Sequence, residues 1–339
     1  GGVKDDYTNL YYRQLPTTNT LSVAELTSND RHTTLTLNTM WKAPFEVTLG
    51  PQAYRDPYPA EGAPDYSVTS TTYEYMDIRF AYSVSGQGAI DLTNDPVFSS
   101  AQWRKNADGT YTLRLTLRKK GQFYGWGCNY NQKGQLVFSF LHPVSIAKAD
   151  NAFGVSLKGV LVALDAGHGG ANPGATAKLG KTTYYEDEMN FALSKQVQSK
   201  LEQLGATVVQ IRDGDYDLPL YERTKKVRKL QPDLFLSLHR NSSVSSAPHG
   251  FESYYYQPYS RYLANRLCER VSTAFRANRG ERYITPMFVT RISDCPSVLA
   301  EFGYLSNAGD LTAMAASGFD DKMAEEVVKG IVDYLISIQ

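Results

Sequence analysis

Apolar residues recur at every second position through much of the first 150 residues. From Val160 onward they gather instead into short unbroken runs separated by stretches with helical spacing. Side chains alternate across a strand and repeat every 3.6 residues around a helix, so the two rhythms predict an all-β half followed by an α/β half. In EYMDIRFAYSV the alternation predicts one half-buried strand, with Met76, Ile78, Phe80, Tyr82 and Val84 on one face and Asp77, Arg79, Ala81 and Ser83 on the other. TYTLRLTLRK follows the Asp108-Gly109 turn signal and places Tyr111, Leu113, Leu115 and Leu117 inward; QLVFSFL, after NYNQKG, supplies a third strand. An antiparallel sandwich or barrel-like domain over residues 1–150 is the expected product. The intervening PQAYRDPYPAEGAPDYS, rich in Pro and Tyr, is expected to be an irregular surface loop.

HPVSIAKADNAFGVSLKG reads as the joint, and the second domain is expected over 158–339. There VLVALDA, ATVVQIR and DLFLSLH alternate with EDEMNFALSKQVQSKLEQLG and LPLYERTKKVRKL, a strand and helix succession. Runs such as LVAL and LFLSL are apolar on both faces, which predicts an α/β fold with a largely parallel sheet flanked by helices. Ligands in such sheets sit beyond the carboxyl ends of the strands. His168 follows the first strand, His239 ends the third and Glu301 ends the run SVLAE, so the three are expected to converge at one edge.

Composition narrows the class. Basic and acidic residues number 35 each, so no global field draws the chain to nucleic acid or an anionic membrane. No apolar stretch is long enough for a membrane span, and GGVKDDYTNL has no apolar signal core. A Gly-Gly start without Met fits a chain trimmed of its signal, so location is expected to follow from function. Cys128, Cys268 and Cys295 form no C-x-x-C pair and are read as mostly buried thiols rather than a disulfide framework or a nucleophile.

Four polar residues close or follow apolar runs: His168, Glu186, His239 and Glu301. Two imidazoles and a carboxylate can hold zinc with one position open, and a second carboxylate can move protons at water bound there. Each also has a plain reading. His168 in LDAGHGG suits a glycine-rich turn, Glu186 a first helical turn, His239 a bond to a backbone carbonyl, and Glu301 a buried ion pair. Asn190, four residues after Glu186, shares its helical face.

In combination, LDAGHGG, EDEMN, SLHRNS and AEFGYLSN, occurring in that order, resemble the motifs of the zinc-dependent N-acetylmuramoyl-L-alanine amidases of the cell-wall amidase type 3 class, over roughly the C-terminal 180 residues. GATVVQIRDGD, LYERT ending at Arg223, and HGFESYYY agree. The resemblance implies that His168, Glu186 and His239 bind one zinc per catalytic domain and that Glu301 is the catalytic acid and base. It further implies that the substrate is peptidoglycan, cut between N-acetylmuramic acid and L-Ala. Asn190, Asn241, Arg223 and Arg291 are expected as substrate contacts; Arg240 and Arg291 depart from the family pattern and are expected to touch substrate preference. The setting implied is extracellular, periplasmic or cell-wall associated. The N-terminal half is expected to engage a wall polymer or an envelope activator, its tyrosines offering stacking surfaces. Two rival functions stay open, a zinc peptidase acting within the stem peptide and a non-catalytic envelope-binding or regulatory protein.

Overall fold

The computed structural model describes residues 18–51, 73–284 and 287–339. The expected PQAYRDPYPAEGAPDYS loop lies outside them apart from Pro51. Among the described residues nine strands come first: β1 (Asn19–Ser28), β2 (His32–Thr39), β3 (Phe45–Gly50), β4 (Tyr75–Phe80), β5 (Ser83–Gln87), β6 (Phe98–Lys105), β7 (Tyr111–Leu117), β8 (Trp126–Tyr130) and β9 (Leu136–Leu141). They form two sheets, ordered β5-β1-β2-β9-β8 and β3-β4-β7-β6. Pairing is antiparallel except between β1 and β5. Phe45 meets Phe138 at 5.3 Å and Phe98 meets Phe140 at 4.9 Å between ring centroids, so the sheets face each other as a sandwich.

The single strand expected over EYMDIRFAYSV is instead two. The chain breaks at Tyr82, whose φ is 59°, and Ser83 turns inward to bond Phe80 O at 2.7 Å through its hydroxyl. Tyr82 and Val84 are therefore exposed while Ser83 is buried, the reverse of the alternation. A one-residue turn flips every side chain after it to the other face.

A short hairpin of β10 (Ala147–Lys148) and β11 (Val155–Ser156) lies in the joint. Next come β12 (Leu161–Ala166), the hairpin β13 (Thr176–Leu179) and β14 (Thr182–Tyr185), α1 (Glu186–Gln203), β15 (Thr207–Gln210), α2 (Leu220–Leu230) and β16 (Leu234–Asn241). The chain ends through β17 (Phe251–Tyr255), α3 (Arg261–Ala274), β18 (Asn278–Tyr283), β19 (Ser297–Tyr304), α4 (Ala308–Met314) and α5 (Phe319–Ser337). Sheet order is β15-β12-β16-β19-β17-β18, parallel from β15 to β19, with β17 running against β19 and β18 running parallel to β17. This is the α/β fold expected. No helix among the described residues is long and apolar enough to cross a membrane.

Alternation sorts the sheet's two faces. Val162, Leu164, Leu234, Leu236, Leu238, Val298, Ala300 and Phe302 share a core with α1, α3 and α5. Ala163, Phe235 and Leu299 point the other way, into a core shared with Val227 of α2 and with Phe123, Phe138 and Phe140 of the β-rich half. Burying each large apolar side chain contributes roughly 1.5–3 kcal/mol, so this shared core binds the halves firmly. Polar bonds add to it: Arg31 pairs with the buried Asp233 at 2.8 Å, and Trp126 N donates to Ser293 O at 2.6 Å. The outward-facing odd positions on this second face continue past the core into Asp165, Ser237, His239 and Glu301.

Candidate metal centre

β12 ends at Ala166, and the chain reverses through His168, whose φ of 62° is left-handed and uncommon for a residue carrying a Cβ. Two buried arginines hold that turn. Arg223 Nη2 donates to His168 O at 2.6 Å, while its Nη1 donates to Ala166 O at 2.8 Å and to Asp165 Oδ1 at 2.5 Å. Arg212 Nε donates to Ala166 O at 3.1 Å, and its Nη2 donates to Asp187 O at 3.1 Å, tying the turn to the start of α1. Arg212 and Asp165 were not singled out from sequence. Asp165 carries the same signal as Glu301, a charge inside an apolar run that must be paired when buried.

Glu186 opens α1 and collects donors from three directions. Its Oε1 lies 2.9 Å from His239 Nδ1 and 3.2 Å from His168 Nε2, and it accepts from Arg240 N at 3.2 Å. Its Oε2 accepts from Ala175 N at 2.9 Å. Burial pushes this carboxyl up, but hydrogen bonds from the two imidazoles outweigh burial and hold it well below the usual carboxylate range. The same bond raises His168 against the opposing effect of burial.

The ligand atoms of His168, Glu186 and His239 lie within 4.8 Å of one another. Zinc bonds of about 2.0–2.2 Å need just such a cluster of nitrogen and oxygen donors. The surroundings are cut to match. A Cβ on Gly167 would lie 2.3 Å from His239 Nε2, and one on Gly174 would lie 2.5 Å from Glu186 Oε2. His168 Nδ1 sits 3.2 Å from Asn172 Oδ1, an outer bond of the kind that orients a ligating imidazole. The donor set and its cradle therefore fit a zinc ion.

Glu301 stands beside this cluster. It pairs with His239 across β16 and β19, and both line a cavity of about 440 Å³ together with His168, Asp217, Leu220, Arg223 and Phe288. Glu301 Oε2 is buried without a partner among the described residues. Burial, then the charges of Glu186 and Glu252, push this carboxyl well above the ordinary range, with Arg240 opposing.

The other expected contacts are placed differently. Asn190 is fully buried, and its amide donates to Glu186 Oε1 at 3.3 Å and Gly167 O at 3.4 Å, so it positions the site from behind instead of facing the cavity. Arg223 lines the cavity, yet its guanidinium is engaged by Asp165 and three carbonyls. Asn241 donates to Glu252 Oε1 at 2.9 Å, reaching past β19 to β17. Arg240 is buried between Phe302 and Phe319 and pairs with Asp320 at 2.9 Å, on the face away from the cavity, which corrects the expectation that it touches substrate. Arg291 lies over Tyr256 at 5.6 Å, outside the cavity lining. Cys295 is buried and its thiol is pushed well above the ordinary range, while Cys128 is exposed.

Residues 162–333 match the family model described as N-acetylmuramoyl-L-alanine amidase, so the two sheets of the β-rich half lie outside the match. The chain is 33% identical over 196 residues to N-acetylmuramoyl-L-alanine amidase LytC of Bacillus subtilis, covering 57% of this chain and 39% of that protein. It thus spans well under half of LytC. The germination-specific N-acetylmuramoyl-L-alanine amidase of the same organism is 28% identical over 220 residues, covering 59% of this chain and 90% of the relative. Among solved structures, an N-acetylmuramoyl-L-alanine amidase from Clostridium difficile 630 aligns with a TM-score of 0.50 and 26% identity, over 54% of this chain and 100% of that one.

Proposed function

The chain belongs to the N-acetylmuramoyl-L-alanine amidase family through residues 162–333, and from that premise we propose that it is a zinc hydrolase of peptidoglycan. The bond cut is the amide joining N-acetylmuramic acid to the L-Ala that opens the stem peptide. One observation carries this reading: Glu186 Oε1 is shared by His168 and His239, and Glu301, whose Oε2 has no partner among the described residues, stands one strand from His239 in the same cavity.

In this reading His168, Glu186 and His239 hold one zinc ion. Zinc there would polarise the scissile carbonyl and lower the pKa of a bound water toward ~7. The remaining chemistry belongs to the protein. Glu301 accepts a proton from the attacking water, then hands it to the departing amine of L-Ala, which would otherwise leave as a high-energy anion. A carboxyl raised by burial holds such a proton closer to neutral pH than a solvated one does. Asn190, Arg212 and Arg223 position ligands and strand end, and Leu218, Leu220 and Phe288 give the cavity an apolar wall.

The β-rich half completes the proposal as the part that engages a wall polymer, which suits a protein acting outside the cell or at the wall. Its exposed Tyr82 ring lies 5.5 Å from that of Trp41, with Met40 and Val84 also exposed, a surface suited to stacking on sugars. Retention of the full chain on insoluble peptidoglycan tests this, and retention unaltered by Tyr82→Ala would remove the role.

Mass spectrometry of peptidoglycan incubated with the zinc-loaded chain tests the central reading. Stem peptides released with a free L-Ala amine support it. Fragments cut within the stem would instead make the protein a peptidase.

A further inference from the structure

HGFESYYY holds a buried charge that the hydrolytic site does not use. Glu252 on β17 is 1% exposed and pairs with Glu301 across the antiparallel ladder, on the cavity side of the sheet. Its Oε1 accepts from Asn241 Nδ2 at 2.9 Å and from the hydroxyl of Tyr304. Its Oε2 faces two guanidinium groups, Arg282 Nε at 3.0 Å and Arg279 Nε at 3.4 Å.

One cation is enough to neutralise one buried carboxylate, and Oε1 is already satisfied by neutral donors. The second arginine therefore leaves an excess positive charge. Glu281 pairs with Arg261 at 3.2 Å and Asp310 with Arg276 at 3.2 Å, so of the nearby carboxylates Glu301 is left to offset it, and Glu301 makes no ion pair with either arginine among the described residues. Arg279 and Arg282 keep 30% and 43% of their side-chain surface exposed, and the Nη atoms of Arg282 make no other hydrogen bond among the described residues. Arg279 is steadied by lying over the Tyr304 ring, 5.3 Å from its centroid. Glu252, the register partner of Glu301, thus orients a pair of partly exposed guanidinium groups. Such planar forks recognise carboxylates with charge and geometry together.

We propose that Arg279 and Arg282, oriented by Glu252, form a subsite for a free carboxylate of the stem peptide, one or two residues beyond the scissile amide. Directly opposed residues in an antiparallel pair have Cα atoms about 4.5–5.5 Å apart, and a peptide residue spans at most ~3.5 Å. A ligand whose amide lies at Glu301 is therefore one or two residues from Glu252, and its next acidic group need reach only just past the cavity lining to meet the arginines. This subsite rests on the peptidoglycan reading and names the stem chemistry it selects.

The test uses the full chain and paired muramyl peptides that differ only in bearing a free carboxylate or its carboxamide on the second residue. Wild-type protein is expected to favour the acid by about tenfold in kcat/KM. In the Arg279→Gln, Arg282→Gln double variant that preference falls to about one. Equal preference in wild type, or a preference the variant retains, overturns the subsite. Calorimetric binding of the corresponding released peptides gives a readout independent of turnover. If the wild type cleaves neither substrate, the amidase reading fails, and acid preference in binding, lost in the variant, still decides the subsite. Should the double Gln variant fail to fold with Glu252 unpaired, Arg279→Lys with Arg282→Lys keeps the charge and removes the forks. Its preference must then fall in the same direction, and an unchanged ratio again overturns the assignment.

Discussion

Glu301 and His239 are register partners on adjacent parallel strands, so the proposed proton carrier and one proposed metal ligand are held one strand apart by backbone hydrogen bonds. Strand pairing fixes this spacing more rigidly than any loop would. Replacing Glu301 by Gln keeps its shape and removes its proton chemistry. Zinc content is expected to stay at the wild-type level while kcat falls by roughly 10²–10⁴. Substantial residual turnover with bound zinc would take the acid and base role from Glu301.

The two imidazoles converge on a single oxygen of Glu186, so removing either should open the cluster. His239→Ala is expected to lose stoichiometric zinc in atomic absorption. Dialysis of the wild type against a strong chelator is expected to abolish activity, and added zinc to restore it. Full activity in the chelated protein would end the metal reading.

Arg223 is the sole side-chain cation on Asp165 among the described ion pairs, and both are buried. Arg223→Met removes the direct ion-pair partner of that carboxylate and one of the two arginines that hold the His168 turn. Unfolding by denaturant is expected to show a loss of about 3–5 kcal/mol. A loss under ~1 kcal/mol would mean the carboxylate finds another partner.

His32 is lowered to about 4, by burial first and then by the charges of Arg31 and His142. The native state therefore stays neutral where the unfolded chain, with an ordinary value near 6.5, takes up a proton. Stability is expected to fall as pH drops from about 6.5 toward 4, and His32→Gln is expected to flatten part of that slope in melting temperature. His142, also lowered by burial, keeps the remainder. An unchanged slope in the variant would refute the assignment.

Phe123 of the β-rich half meets Tyr259 of the α/β half edge to face at 5.1 Å, inside the core that both halves share. The chain is expected to unfold in one calorimetric transition, with Phe123→Ala shifting the whole of it by about 3–5 kcal/mol. Two transitions, only one of them shifted, would show that the halves fold independently.

Much of the site was legible because its members end apolar runs. A residue just past a buried parallel strand lies where such sheets bind ligands, and a charge inside a run such as SVLAE demands a partner. His168, His239 and Glu301 stand out in this way, Glu186 only by its place in the first turn of a helix, and β7, β9, β12, α1 and β16 by their periodicity or run length. The break at Tyr82 was hidden because alternation continues through it, and only the backbone shows the reversal of faces. Asn190 shares a helical face with Glu186 as spacing demands, but spacing does not tell a solvent-facing amide from one sealed behind a carboxylate. Sequence sets Arg240 beside His239 as a departure from the family pattern and predicts that it touches substrate preference. A local bulge in β16 and the rings of Phe302 and Phe319, far apart in sequence, decide that it is buried.

Periodicity, run length and the residues at run ends thus determined the strand and helix succession and which polar residues stand at the strand ends, because both depend on neighbours a few positions away. Tertiary structure decided that the β-rich half covers one face of the catalytic sheet and that Glu252 gathers two arginines beside Glu301. Those outcomes depend on which distant segments exclude water from each face, and local pattern carries no record of that.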